Sequence, residues 1–165
     1  MNRTSTKSII GRAISFLSTL TLSLAIINSL PSYREKRQKS FDQAVIGGNF
    51  YRLQLMSLTG VNVNARGKSG LPLSIAAAQG RTDIVGHLLN HGADVNARDE
   101  LGHTALSEAT FNGRIAVIEQ LLRNGADINA IANDGTALDI AKGANNASAI
   151  ALLRHYGAKT TRELR

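Results

Sequence analysis

The sequence of 165 residues contains no cysteine and no tryptophan, and only seven of its residues are aromatic. The absence of cysteine excludes disulfide frameworks, thiolate zinc sites, cysteine nucleophiles and acylated lipoprotein cysteines. So few aromatic residues argue against a platform on which single-stranded bases stack. Apolar residues make up 43% of the chain and charged residues 19%, a balance typical of a folded chain. The length therefore leaves room for one domain with a terminal extension.

Acidic residues are scarce at the N-terminus. The chain carries a formal net charge of +7 and a pI near 10.3, which by itself favours nucleic acid or an anionic membrane as a partner. Residues 1–40 contain seven Lys or Arg and one Glu, whereas residues 41–165 contain twelve basic and eleven acidic residues. The basic character belongs to the first forty residues, so we expect no nucleic-acid partner for the remainder.

The N-terminal forty residues have the layout of a targeting segment. Arg3, Lys7 and Arg12 precede an uncharged, moderately apolar stretch from residue 13 to residue 33. We predict that residues 1–30 form a signal peptide or an N-terminal membrane anchor. The protein is then expected to be secreted, periplasmic or anchored to the membrane. A buried helix of the domain and an organellar transit peptide are the alternatives.

A basic stretch follows this segment. Residues 31–37 are predicted to be a flexible basic linker between the targeting segment and the folded domain. If the anchor is retained, residues 13–39 are expected to contact anionic lipid headgroups.

The rest of the chain repeats itself. Residues 88–97 read LLNHGADVNA and residues 121–130 read LLRNGADINA, with seven identities at a spacing of 33. Weaker copies flank this pair at spacings of 32 or 33. Such a period indicates a stacked solenoid. Four units result, at about residues 37–66, 67–98, 99–131 and 132–165.

Each unit has the signals of two helices. Thr104 and Thr136 are placed to cap a first helix, and Pro72 suits the first helical position because it has no N–H to leave unpaired. A left-handed residue about nine positions later ends that helix, at Gly48, Gly80, Gly113 and Asn145. Apolar residues at helical spacing then predict a second helix, as in Ile84, Val85, Leu88 and Leu89.

This pattern resembles the ankyrin repeat, whose TPLHxA and GADVNA motifs are matched in degenerate form. The resemblance covers the range 38–165 and implies an all-α solenoid of helix-turn-helix units joined by β-hairpin-like fingers. It also implies a monomeric, non-enzymatic module that binds another protein through a concave surface. That surface is expected to consist of the finger tips and the exposed sides of the first helices.

The family pattern places ten residues of this chain on that surface. Leu101 and Phe111 are notable because apolar side chains at exposed positions resemble interface anchors. Alternatively, Phe111 folds back on its own finger and Leu101 merely covers it. The full predicted set is Lys68, Ser69, Gln79, Glu100, Leu101, His103, Phe111, Asn112, Asn133 and Asp134.

Catalytic and metal-binding patterns are weak. His87 and His91 are four residues apart on one predicted helix, but no third ligand is evident, and we assign no metal, cofactor or catalytic residue. The main hypothesis is that the chain binds a protein partner, which the sequence does not identify. The alternatives are a charge-driven binder of membrane surfaces or nucleic acid, and an inhibitor or protective protein for an exported enzyme.

Overall fold

The computed structural model describes residues 30–165. The segment predicted to be a signal peptide or anchor, residues 1–30, lies outside the described residues except for Leu30. Within residues 30–165, no helix combines the length and the apolar character needed to cross a membrane.

Eight α-helices follow one another from residue 31 to residue 155, and no β-strand forms between residues 30 and 165, which confirms the predicted all-α class. The first pair of helices belongs to the first unit, and each later unit contains one further pair. The helices are α1 Pro31–Gly47, α2 Phe50–Ser57, α3 Pro72–Gln79, α4 Thr82–Asn90, α5 Ala105–Phe111, α6 Ile115–Arg123, α7 Ala137–Gly143 and α8 Ala147–His155.

The basic stretch before the repeats is helical, which corrects the prediction of a flexible linker. Residues 31–37 form the first two turns of α1. Pro31 occupies the first helical position, and no proline or glycine follows until Gly47. The intervening Glu, Lys, Arg and Gln residues are strong helix formers, so the stretch is helical while most of these side chains remain exposed.

The predicted helix starts are confirmed in the third and fourth units. The Thr104 hydroxyl oxygen accepts a hydrogen bond from the Ser107 backbone N–H, and the Ser107 hydroxyl oxygen accepts one from the Thr104 N–H at 2.8 Å. Thr136 and Asp139 form the same reciprocal pair. Each pair satisfies two backbone donors that a helix start leaves free.

The second unit begins its first helix differently. Leu71 stands at the capping position and offers no side-chain acceptor, and Pro72 begins α3 instead. Gly80 then ends α3 with φ +77°, and Asn145 takes the equivalent left-handed place after α7 with φ +52°. The predicted helix ends are therefore confirmed, including the substitution of asparagine for glycine.

Residues 38–165 form one compact unit with a continuous apolar core. Helices α3, α5 and α7 pack side by side in one layer, and α4, α6 and α8 pack in a second. Buried alanines at equivalent places let the first-layer helices approach closely. These alanines are Ala76, Ala109 and Ala141, and the large buried residues of the same helices are Leu73, Leu106 and Leu138. Ala44 and Phe41 are buried at the equivalent places on α1.

Asparagines at equivalent positions connect consecutive units. The Asn64 amide donates to the Gly92 carbonyl at 2.9 Å, and Asn96 donates to the Gly125 carbonyl at 3.2 Å. In the last unit, the Asn129 side-chain oxygen accepts from the Lys159 N–H at 2.8 Å. These bonds fix the stacking of the units and thereby the spacing of the loops that each unit presents.

Candidate functional site

The predicted site residues lie on the fingers and first helices of the repeat region, residues 38–165. We call the helices α3, α5 and α7 the inner helices. The loops that precede them are the fingers, which we number by repeat: the second finger is residues 65–71, the third is residues 98–104 and the fourth is residues 131–136. Single antiparallel bridges, Gly67 with Gly70 and Ala132 with Gly135, close two of these fingers into hairpin-like turns. The fingers and the exposed sides of the inner helices form the inner face.

The third finger is held rigid by its own aspartate. One carboxylate oxygen of Asp99 accepts backbone N–H groups from Leu101 at 2.9 Å and His103 at 2.8 Å. The Asp99 N–H in turn donates to the His103 carbonyl at 2.9 Å. This arrangement leaves the Leu101 side chain 53% exposed at the finger tip.

The third and fourth fingers are linked to each other. The Asn133 N–H donates to the Leu101 carbonyl at 3.1 Å, and the Arg98 guanidinium donates to the Ile131 carbonyl at 2.7 Å. On the other side of the third finger, Arg66 and Glu100 form an exposed ion pair at 3.6 Å. The backbones of the third and fourth fingers are therefore held in place relative to each other.

Three carboxylates surround His103. Its Nδ1 lies 3.6 Å from Asp99 Oδ2 and 3.9 Å from Glu108 Oε1, and its Nε2 lies 3.2 Å from Asp134 Oδ2. The His103 side chain is only 18% exposed. We call these four residues the His103 cluster; it joins the third finger, α5 and the fourth finger.

Two clefts open on either side of Glu108, which lines both of them. The smaller, about 170 Å³, is lined by Phe111 and Ile140 together with His103 and Asp134. The larger, about 460 Å³, lies beside the second finger and α3. Its lining includes Ile46, Arg66, Lys68, Ser69, Ile75, Ala78, Gln79 and Asp99.

The ten predicted site residues divide between these features. Lys68, Ser69 and Gln79 line the larger cleft, and His103, Phe111 and Asp134 line the smaller one. The others, Glu100, Leu101, Asn112 and Asn133, are exposed beside them.

Gln79 and Asn112 also donate side-chain hydrogen bonds to backbone carbonyls within the protein. The Gln79 amide donates to the Ile46 carbonyl at 3.0 Å and accepts from the Arg81 guanidinium at 2.9 Å, so it ties the first unit to the second. The Asn112 amide donates to the Glu108 carbonyl at 2.9 Å, which supports the end of α5.

Phe111 does not turn away from solvent. Its side chain is 71% exposed, and it forms a wall of the smaller cleft together with Ile140. The alternative in which Phe111 is folded onto its own finger does not describe this conformation.

Sequence reasoning missed Asp99 and Glu108. An aspartate at the place of Asp99 is expected to bond the backbone of its own turn, as it does here, so it did not suggest a site. Glu108 lies on α5 between the buried Ser107 and Ala109, where a surface position is not evident from the sequence. One signal was available: Glu108 is three residues before Phe111, a spacing that puts both on the same side of a helix.

Metal-ligand atoms come together at a place that the sequence did not indicate. Within residues 30–165, the ligand atoms of Asp99, His103 and Glu108 all lie within 4.8 Å of one another. His87 and His91, the pair noted in the sequence, instead stack their rings at 4.0 Å. His87 Nε2 is 2.8 Å from the Ser57 hydroxyl, and burial and then the charge of His91 lower the pKa of His87.

The C-terminal segment closes the fourth unit beside Asn133 and Asp134. Burial raises the pKa of Asp139, but hydrogen bonds from Thr161 and Thr136 outweigh this effect and lower it to about 2. The Arg154 guanidinium, followed by the Thr160 N–H, lowers the pKa of Glu163 to about 2. Both carboxylates remain ionised at neutral pH and hold the segment in place.

Comparison with known proteins identifies the class. A family model described as ankyrin repeats, in three copies, matches residues 41–132 and again residues 73–163. The two matches together span most of the chain, which therefore belongs to the ankyrin repeat family. Proteins of this family generally bind protein partners and are typically not enzymes.

A curated relative shares one segment with this chain. The E3 ubiquitin-protein ligase XBAT33 of Arabidopsis thaliana is 58% identical over 38 residues, which are 23% of this chain. The matched segment covers only 7% of that ligase, so the similarity concerns repeats and not the whole protein.

Proposed function

We propose that this chain is a non-enzymatic module that binds one protein partner through the inner face of its ankyrin repeats. The observation that carries the proposal is the exposure of Leu101 and Phe111, at 53% and 71%, on a face fixed by hydrogen bonds between fingers. Because hydrogen bonds fix the finger backbone, binding has to order little more than the side chains themselves, which lowers its entropic cost. The membership of the ankyrin repeat family supports the same function.

Polar substitution of the two anchors should weaken binding without unfolding the protein. We expect Leu101→Ser and Phe111→Ser each to cost about 2 kcal/mol of binding free energy, or about thirty-fold in affinity. Because both side chains are exposed, each change should alter the free energy of unfolding by less than about 0.5 kcal/mol.

Site-specific photocrosslinking in the source cells tests the proposal. Benzoylphenylalanine placed at Leu101 should capture one discrete protein, and the added Phe111→Ser change should abolish the capture. Tyr51, which is 80% exposed on α2, is the matched control position and should not capture that protein. Equal capture at both positions, or capture that survives Phe111→Ser, would refute the assignment of the inner face.

We also propose that the protein is exported or retained at a membrane by residues 1–30. The support is the order of the sequence, in which three basic residues precede an uncharged, moderately apolar stretch. A partner would then be found outside the cytoplasm or at the membrane surface. Scaffolding, inhibition and protection of that partner are all compatible with this arrangement.

A further inference from the structure

The charge on the inner face points to the chemistry of its partner. We propose that the partner segment carries an Arg or Lys side chain next to a large apolar side chain, and that these two groups occupy the His103 cluster and the smaller cleft. This inference rests on the proposed function and adds the kind of segment that the inner face accepts.

The His103 cluster has an excess of negative charge. Asp99, Glu108 and Asp134 all lie within 4.0 Å of the His103 ring nitrogens. Even a protonated imidazole offsets only one of these three charges. Arg66 and Lys68 line the larger cleft beside Asp99 and Glu108, but no Lys or Arg lines the smaller cleft. A cation that approaches the cluster through the smaller cleft is therefore attracted by carboxylates that His103 does not neutralise.

Partial burial strengthens this preference. The Asp99 and Glu108 side chains are only 26% and 32% exposed, so water solvates their charges incompletely. Asp134 is 68% exposed and stands at the entrance. A guanidinium or ammonium group recovers electrostatic energy at such a site, and the guanidinium can bond two carboxylate oxygens at once.

The smaller cleft adds an apolar wall directly beside the charges; its other four lining residues are polar or ionisable. Phe111 and Ile140 line it, and Glu108 and Asp134 belong to both the cleft and the His103 cluster. Its volume of about 170 Å³ is similar to the roughly 150 Å³ of an apolar cavity that holds benzene. One aromatic or branched aliphatic side chain therefore fits, and an adjacent Arg can stack on the exposed Phe111 ring.

The cleft is also the reason to prefer a peptide to a metal ion. The ligand atoms of Asp99, His103 and Glu108 converge closely enough to attract a divalent cation. A bare ion would leave Phe111 exposed and the cleft empty. A side chain carried on a peptide uses the carboxylates and the apolar wall together, so it accounts for both features.

Selection of peptides from a random library tests the inference on the full chain. Linear dodecapeptides displayed on phage are selected against the purified protein, and the enriched peptides are synthesised and measured by fluorescence polarisation. We expect enrichment of Arg or Lys next to Phe, Leu, Ile or Met. The double variant Glu108→Gln and Asp134→Asn should weaken those peptides at least tenfold.

A matched double variant controls for net charge. Asp83→Asn and Glu119→Gln remove the same two charges from α4 and α6, in the second layer of helices. This control should leave peptide affinity within about twofold of the unchanged protein, because its charges lie outside the His103 cluster. A similar loss in both variants would overturn the inference, since net charge alone would then explain it.

The outcomes separate this inference from the proposed function. Peptides that lose affinity with Phe111→Ser but not with the Glu108 and Asp134 variant would preserve the inner-face interface and overturn its charge preference. Peptides unaffected by either change, or no enriched peptides at all, would count against both. A titration of the protein with zinc chloride, without peptide, tests the metal-site alternative. Tight zinc binding that is lost in His103→Ala, without carboxylate-dependent peptides, would overturn the inference in favour of a metal site.

Discussion

The asparagine contacts between units give the sharpest stability prediction. Asn96 lies at the end of the second unit, where its amide donates to the Gly125 carbonyl at 3.2 Å and its side-chain oxygen accepts from the Asp127 N–H at 2.7 Å. The substitution Asn96→Ala removes both bonds. It keeps the hydrogen bond from the Asn96 backbone N–H to the Asp94 carboxylate, so the local turn should persist.

The magnitude follows from the number of bonds and their exposure. A hydrogen bond contributes a net 0.5–1.5 kcal/mol to stability on average, by an order-of-magnitude estimate. Because Asn96 is exposed, water can bond to the groups that lose their partners, which reduces the free-energy cost of the substitution. We therefore expect a loss of about 1–2 kcal/mol. In a solenoid this loss falls on the contact between the second and third units, so unfolding should also become less cooperative.

Urea unfolding followed by circular dichroism measures both effects. Asn124→Ala is the matched control, because the Asn124 amide donates to the Gln120 carbonyl at 2.7 Å at the end of its own helix. The control should change the free energy of unfolding by less than about 0.5 kcal/mol. If Asn96→Ala loses no more stability than the control, the asparagine bonds do not couple the units and the reasoning fails.

Two further predictions concern the ends of the chain. The pKa of Asp139 falls from 3.8 to about 2 on folding. Its ionised form therefore stabilises the folded state above pH 4, and this contribution disappears as the pH falls towards 2. The difference corresponds to about 2 kcal/mol, which screening at this partly exposed carboxylate reduces to about 1 kcal/mol. Urea unfolding should show Asp139→Asn about 1 kcal/mol less stable at pH 6 and equal to the unchanged protein at pH 2; a constant difference would contradict this. For the N-terminus, Edman sequencing and cell fractionation should show either a mature chain that begins near residue 30 or an intact chain in the membrane fraction. An intact chain in the cytosol would contradict export and anchoring.

The repeat architecture could be predicted because its signals are local. Thr104 and Thr136 begin helices by capping their own first turns, and Gly80 ends α3 through its own backbone conformation. Each signal needs only residues within about ten positions along the chain. Repetition at a period of 32–33 residues then multiplies these signals and specifies stacking.

The helix at residues 31–37 shows where local reading failed. The charged residues there were interpreted as a solvated linker, although the same residues have high helix propensity. A charged stretch can be exposed and helical at the same time. The charges were used to infer exposure, and the absence of a helix was then wrongly assumed.

The amino-acid sequence by itself determined the all-α solenoid and the residues that begin and end its inner helices. Only the tertiary structure decided that Asp99, His103 and Glu108 come together and that Asp134 of the next unit joins them. The physical reason is distance along the chain: caps and turns form between neighbours, whereas the His103 cluster and its cleft exist only after one unit has stacked on the next.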